Sequence, residues 1–385
     1  MDKVKVLHCA DLHLGSGLFS ILERGKERQQ ELLRTFRRIT NLCLEEKVDV
    51  LLIAGDLFEG SNIDQQMISS VKEYIGNLKE TIVAISPGNH DYVSLDSPYQ
   101  DKDWPGNTII FNGDFESKVF QDKGFAIHGF GFESTYVREG KIIPIGEEFK
   151  NLINLCVVHG DLVSGLSDSI YHPITEKSLQ ESRMDYVAIG HIHKRTAILK
   201  TGNTSYAYSG CPDGRGFDEL VEKGVYLGWV SKGRADMSFI PMSSRVFIEE
   251  SIDISGETTT SSVEKMIIQF LKEKYTEEYA RHYYKIRLVG NLPEDHAVFF
   301  EALELDLKES LYYVKLREET RIDLNLEALS EESSLKGIFV KKMLEKIEEE
   351  KNSQKMNNSH EIEKLEKALD YGLRAFDGKV KLNVD

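Results

Sequence analysis

At 385 residues the chain is long for one hydrophobic core, which points to two or three units and excludes a single small module. Hydrophobic residues make up 41% and charged residues 29%, with neither a signal peptide nor an apolar run long enough to cross a bilayer, so a soluble, cytoplasmic protein is expected. The formal net charge of -16 excludes affinity for nucleic acid through overall charge, so such a role would need metal ions, a local basic patch or a partner.

In chain order, short apolar, β-branched runs at Val4 to Cys9 and Val48 to Ile53 predict strands. Between them, Leu32, Leu33, Phe36, Ile39, Leu42 and Cys43 recur at helical spacing and predict a helix over Glu27 to Glu46. The pattern repeats with a helix over Gln65 to Leu78 and a strand over Thr81 to Ile85. Further strands are expected at Thr108 to Phe111, Phe125 to Phe130, Asn154 to Val158 and Tyr186 to Ile189. Residues 1–245 are thus expected to form an α/β layered domain.

Beyond Arg245 the order is strand Val246 to Ile254, helix Ser261 to Lys274, strand His282 to Val289, helix Asp295 to Lys308 and strand Leu311 to Arg317. This predicts a small α+β domain over residues 246–320, without an acid or histidine cluster of its own. Residues 330–385 hold two amphipathic helices. Leu335, Ile338, Phe339, Met343, Leu344 and Ile347 form one stripe, and Ile362, Leu365, Leu369, Leu373 and Phe376 the other. The polar stretch Lys351 to Ser359 reads as their linker, and the stripes either pack on their own domain or dock a partner. The four cysteines, Cys9, Cys43, Cys156 and Cys211, have no CxxC spacing and read as core thiols in a reducing compartment.

Chemistry concentrates where the strands of the first domain end, which is where α/β sheets place their ligands. Asp11-Leu12-His13 follows the first strand; in an extended segment, side chains two residues apart point the same way. Gly55-Asp56, Gly88-Asn89-His90-Asp91, His159-Gly160-Asp161 and Gly190-His191-Ile192-His193 follow four others. One such pair alone is unremarkable; five in series are not. Carboxylates, an amide and imidazoles form an oxygen and nitrogen donor set suited to manganese, iron or zinc. Seven ligands exceed one ion and suit two bridged by a carboxylate, an arrangement that hydrolyses phosphate esters.

These five segments resemble the motif series of the calcineurin-like metallophosphoesterases. Within them, Leu7 to Gly15, Gly55-Asp56-Leu57-Phe58, Tyr208-Ser209-Gly210 and Arg215-Gly216-Phe217 resemble the SbcD-type DNA repair exonucleases, in particular their shorter YhaO-like branch. The resemblance implies a layered α-β-β-α sandwich, a small α+β capping domain and C-terminal helices. It also implies that Asp11, His13 and His193 hold one ion and Asn89, His159 and His191 the other, with Asp56 bridging them. The two divalent ions would be manganese. His90 would protonate the departing 3' oxygen, with Asp91 orienting it.

Two departures from the family pattern stand out: Glu59 where some members have an assisting histidine, and Leu12 in place of a tryptophan. Arg215 reads either as a phosphate contact or as a salt-bridge residue. His8 and His128, inside apolar strands, read as core or supporting groups; His172, His282, His296 and His360 lack ligand-spaced companions. The expectation is a manganese-dependent DNA nuclease, a homodimer working with an SbcC-like coiled-coil ATPase gripped by the residue 330–385 tail, with no membrane role. The alternatives are a two-metal phosphodiesterase acting on a small molecule or phosphoprotein, and a non-catalytic scaffold for the ATPase.

Overall fold

Strands buried on both faces read as unbroken apolar runs, and that is how the central strands of this chain are written. A computed structural model describes residues 2–17, 24–164, 169–352 and 358–376. Its contacts divide the chain into two units, Met1–Ile248 and Glu249–Asp385.

The first unit runs β1 (Val4–Cys9), α1 (Gly25–Glu45), β2 (Val50–Ile53), α2 (Gln65–Gly76), β3 (Ile82–Ile85), β4 (Thr108–Ile110), β5 (Glu116–Phe120), β6 (Phe125–Gly129), β7 (Ile153–His159) and β8 (Leu162–Val163). It continues with β9 (Ile174–Thr175), α3 (Glu176–Ser182), β10 (Tyr186–Gly190), β11 (Leu199–Thr201), β12 (Thr204–Tyr208), β13 (Gly224–Ser231) and β14 (Arg234–Pro241). One six-stranded sheet has the order β14-β13-β1-β2-β3-β4 and a second β11-β12-β10-β7-β6-β5. The helices and strands expected up to Ile189 are present within a few residues of their expected ends. β5, β8, β9, α3 and β11 to β14 were not expected; β13 and β14 extend the first sheet by antiparallel pairing of β13 with β1.

Alternation of side chains sorts the core into layers. Val4 and Val6 of β1, Val50 and Leu52 of β2 and Ile82 and Ala84 of β3 meet Ile153, Leu155 and Val157 of β7 and Tyr186 and Ala188 of β10 between the sheets. The alternate residues Leu7, Cys9, Leu51, Ile53, Val83 and Ile85 face α1 and α2, which contribute Leu32, Phe36, Ile39, Cys43, Ile68, Val71 and Ile75. On the far side of the second sheet Cys156, Val158, Val187 and Ile189 pack with Leu179 of α3. The result is a layered α-β-β-α sandwich. All four cysteines are free and buried in it.

The second unit holds β15 (Phe247–Asp253, which begins in the first unit), α4 (Thr260–Tyr275), β16 (Tyr283–Pro293), α5 (Phe300–Ser310), β17 (Tyr313–Asp323), α6 (Leu326–Ser330), α7 (Leu335–Asn352) and α8 (Asn358–Phe376). β15, β16 and β17 form a three-stranded sheet, with β16 and β17 parallel over eleven residue pairs. Helix α5 starts five residues later than the expected Asp295. The backbone before it is used otherwise: Ala297 N–H donates to Thr258 O and the two segments form a bridge. In the tail, Phe339, Val340, Met343, Leu344 and Ile347 of α7 pack with Leu365, Leu369 and Leu373 of α8 and with Leu324, Leu326 and Leu329. Much of each apolar stripe is therefore covered by the other helix, while Leu335, Ile338 and Tyr371 remain exposed. Among the described residues no helix is long and apolar enough to cross a membrane.

Candidate metal centre

The parallel strands β1, β2, β3, β7 and β10 all release their chains at the same edge of the sandwich, and their loops converge there. The loops after β1 and β2 run as a ladder: Asp11 N–H donates to Gly55 O, His13 N–H to Asp56 O, Leu14 N–H to Leu57 O and Glu59 N–H to Leu14 O. The sheets close tightly at this edge. A Cβ at Gly190 would collide with the Ala54 carbonyl, and one at Gly55, which also has φ +90°, with the His159 imidazole. Asp11, His13, Asp56 and His191 all hold positive φ, which is uncommon for residues with a Cβ.

All seven expected ligands meet here. His13 Nε2 lies 3.1 Å from His193 Nε2 and 3.6 Å from Asp56 Oδ2. Asp56 Oδ2 is also 3.4 Å from His159 Nε2, so this one oxygen sits between the two halves of the cluster. Asn89 Oδ1 is 2.9 Å from His159 Nε2 and 3.2 Å from His191 Nδ1. Asp11 Oδ1 accepts the His191 N–H at 2.9 Å. Its buried Oδ2 has no hydrogen-bond partner.

Each imidazole presents one nitrogen to this space and has the other tied from behind. His159 Nδ1–H donates to Ala54 O at 3.0 Å. His191 Nε2 meets Asp161 Oδ1 at 3.2 Å, His193 Nδ1 meets Glu219 Oε1 at 2.5 Å and His13 Nδ1 meets Glu59 Oε2 at 2.7 Å. Carbonyl and carboxylate oxygens can only accept, so with cations at the inner nitrogens the outer ones would carry their protons towards these oxygens. That is how proteins prepare histidines for metal. A buried carboxylate oxygen without a donor beside four inward imidazole nitrogens fits cations, and the donor set of oxygen and nitrogen suits divalent ions of the first transition row.

Burial pushes the Asp11 carboxyl up, against the pull of His193 and His159. Burial holds the His13 and His191 imidazoles below their ordinary value. For His193, burial lowers the pKa but the Glu219 and Asp11 carboxylates together more than offset it, and the net direction is up. A cavity of about 790 Å³ adjoins the cluster at His193, and Lys194, Arg195 and Lys223 are among its lining residues.

His90 stands at the rim, 44% exposed, with its ring 4.8 Å from that of His13. Its Nδ1 is 3.0 Å from Glu59 Oε1, and that hydrogen bond raises its pKa. Asp91, expected to orient His90, is occupied elsewhere: its carboxylate accepts Gly88 N–H at 2.7 Å, Phe58 N–H at 3.1 Å and Tyr99 O–H at 2.6 Å. It pins the β2 and β3 loops together from inside, and burial pushes its pKa up to about 6. The carboxylate in contact with the His90 ring is that of Glu59.

Two more supporting residues escaped the sequence reading. Glu219, buried, holds His193, and Asp161, quoted only as part of a motif, holds His191. Tyr208 fixes the same loop by donating to Gly160 O and accepting Leu162 N–H, both at 2.7 Å. Arg215 is a salt-bridge residue joining Glu59 and Glu219. His8 and His128 are fully buried in the core and hydrogen-bonded to Tyr186 and to Ser117 and Asn154 respectively. His172 is buried with its Nδ1–H donated to His159 O at 2.8 Å.

The family profile of the calcineurin-like phosphoesterases matches residues 4–195, the span that carries every one of these ligands. Residues 4–195 are a calcineurin-like phosphoesterase domain. Around this phosphoesterase domain the chain is 27% identical over 271 residues to YhaO of Bacillus subtilis, an uncharacterised metallophosphoesterase, covering 68% of this chain and 66% of that one. It is 25% identical over 372 residues to the DNA double-strand break repair protein Mre11 of Methanococcus maripaludis, covering 87% and 89%. To Mre11 of Methanopyrus kandleri it is 23% identical over 359 residues, covering 86% and 76%. The chain therefore carries a metallophosphoesterase domain, and phosphoesterases of this type bind two divalent metal ions.

Proposed function

We propose that the chain is a manganese-dependent DNA nuclease that hydrolyses phosphodiesters at or near DNA ends. The observation that carries the two-metal part is the set of four imidazoles, each tied from behind and facing Asp11, Asp56 and Asn89. Asp11, His13 and His193 would hold one ion, Asn89, His159 and His191 the other, and Asp56 Oδ2, 3.4 and 3.6 Å from an imidazole of each set, would bridge them. When bound, such a pair supplies Lewis acidity to the phosphate oxygens and acidifies a water molecule for attack. His90, at the rim and outside both ligand sets, is suited to donate a proton to the leaving 3' oxygen. Glu59 holds that imidazole in one orientation.

The DNA assignment is supported by the Mre11 relatives, which align across the second unit as well as the first. On this reading the three-stranded sheet with α4 and α5 is a capping domain. α1 and α2 offer a surface for a homodimer, and α7 and α8 offer Leu335, Ile338 and Tyr371 to an SbcC-like ATPase. A partner of that kind would supply the DNA affinity that a net charge of -16 withholds. Four free, buried cysteines suit a cytoplasmic setting. The test is digestion of end-labelled linear duplex DNA with and without manganese, with bis-p-nitrophenyl phosphate in parallel. Manganese-dependent loss of the label supports the nuclease; cleavage of the small diester alone keeps the metal site and rejects the DNA substrate.

A further inference from the structure

We infer that Glu59, Arg215 and Glu219 form one clamp that fixes His13, His90 and His193 relative to one another, with Glu59 as the positioning residue for His90; this rests on the two-metal reading above. The Glu59 carboxylate serves two imidazoles with separate oxygens. Oε2 lies 2.7 Å from His13 Nδ1 and Oε1 3.0 Å from His90 Nδ1, both ion-pair distances. The two rings stand edge to face at 85°, so one side chain sets both their separation and their angle. The backbone below cannot drift, because Glu59 N–H donates to Leu14 O within the β1 and β2 loop ladder.

Arg215 completes the clamp. Its Nη1 reaches Glu59 Oε2 at 3.1 Å, while Nη2 and Nε reach Glu219 Oε1 at 3.2 and 3.3 Å. Arg215 N–H donates to Glu219 Oε2 at 2.7 Å. A planar guanidinium holds two carboxylates in directions set by its own plane, a constraint that a lysine ammonium lacks. Each carboxylate in turn holds an imidazole of the site. A carboxylate beside a phosphate-binding centre opposes an anionic substrate, and the guanidinium offsets that charge. Arg215 is thereby committed to the clamp, and the phosphate-contact reading of it is set aside.

A glutamine at position 59 can accept from only one imidazole, because its NH₂ is a donor. The full-length chain, stripped of metal, is titrated with manganese by calorimetry and assayed on bis-p-nitrophenyl phosphate as wild type, Glu59→Gln, His90→Asn and the double variant. Thermal melting controls for folding. Glu59→Gln is expected to weaken manganese binding by about 10- to 100-fold through His13. At saturating manganese it is expected to lower kcat by about 10- to 100-fold with KM unchanged, and to lower it no further in the His90→Asn background. Arg215→Lys should shift binding in the same direction by less, and it serves if Glu59→Gln fails to fold.

Wild-type manganese affinity and kcat in both Glu59→Gln and Arg215→Lys would overturn the clamp. So would a rise in KM alone, which would make Glu59 a substrate contact, or losses that multiply in the double variant. A wild-type chain that neither binds manganese nor cleaves the diester would reject the two-metal reading itself. A competent wild type matched by its variants rejects the clamp only.

Discussion

The two halves of the candidate metal centre are built by different means. On the β7 and β10 side, His159 is tied to a backbone carbonyl, Ala54 O, and His191 to a partly exposed Asp161. In the other half, His13 after β1 and His193 after β10 lie against Glu59 and Glu219, which a single guanidinium joins. A backbone carbonyl cannot be removed by substitution, whereas a carboxylate can. The difference teaches that one half is fixed in part by the fold and the other wholly by a network of side chains. Its two ions should then respond unequally to mutation.

The most severe way to break this comparison is to remove what the halves share. Asp56→Ala should abolish phosphodiesterase activity, by more than about 10³-fold, and release both ions, since Asp56 Oδ2 faces His13 and His159 alike. Kinetics on a small diester with metal analysis of the dialysed protein checks this; retention of two ions would reject the bridge. Next in size, His90→Asn should lower kcat by about 10²- to 10⁴-fold and leave both ions bound, because His90 lies outside the two sets.

Glu219→Gln sharpens the asymmetry. It should weaken one ion by about 10- to 100-fold and spare the other, whereas Asp161→Asn, whose carboxylate is already partly solvated, should change affinity by less. Manganese titration distinguishes two unequal sites from two equal ones.

The smallest effect concerns imidazoles in the core. Burial lowers His8 to about 3, His128 to about 4 and His172 to about 3. Each folded value lies below the unfolded value of about 6.5. The unfolded chain therefore binds more protons below pH 6.5, and stability is lost as pH falls from there towards 4, by at most about 1.4 kcal/mol per pH unit for each imidazole. His128→Gln, remote from the metal centre, should flatten that slope in chemical denaturation at pH 4.5 and 7. An unchanged slope would mean that His128 is charged in the folded state.

Much of this was legible in sequence because the relevant signals are local. Apolar runs gave β1, β2, β3, β7 and β10, and each ligand stood at the end of one of them. β13 and β14 were equally visible in principle: Ala235, Met237 and Phe239 alternate with polar residues after the Lys232-Gly233 turn. Glu59 and Glu219 were not legible in the same way. Glu59 is 156 residues from Arg215 in sequence, and nothing local marks an acid that will meet a histidine from another strand. Asp91 misled for the opposite reason, since adjacency to His90 in sequence suggested a contact that its buried hydrogen bonds exclude. The tail stripes showed periodicity, which states that a face is apolar without stating what covers it; here α7 and α8 largely cover each other.

The left-handed backbone at Asp11, His13 and Asp56 carries a wider consequence. A residue with a Cβ in that region costs about 1 to 2 kcal/mol, a cost that glycine would remove. The chain keeps aspartate and histidine there, so its energy landscape is locally frustrated where the ligands sit and smooth in the sheets behind them. Frustration of this kind places the cost of the ligand set in the backbone of its own loops, not in the sheets that carry them.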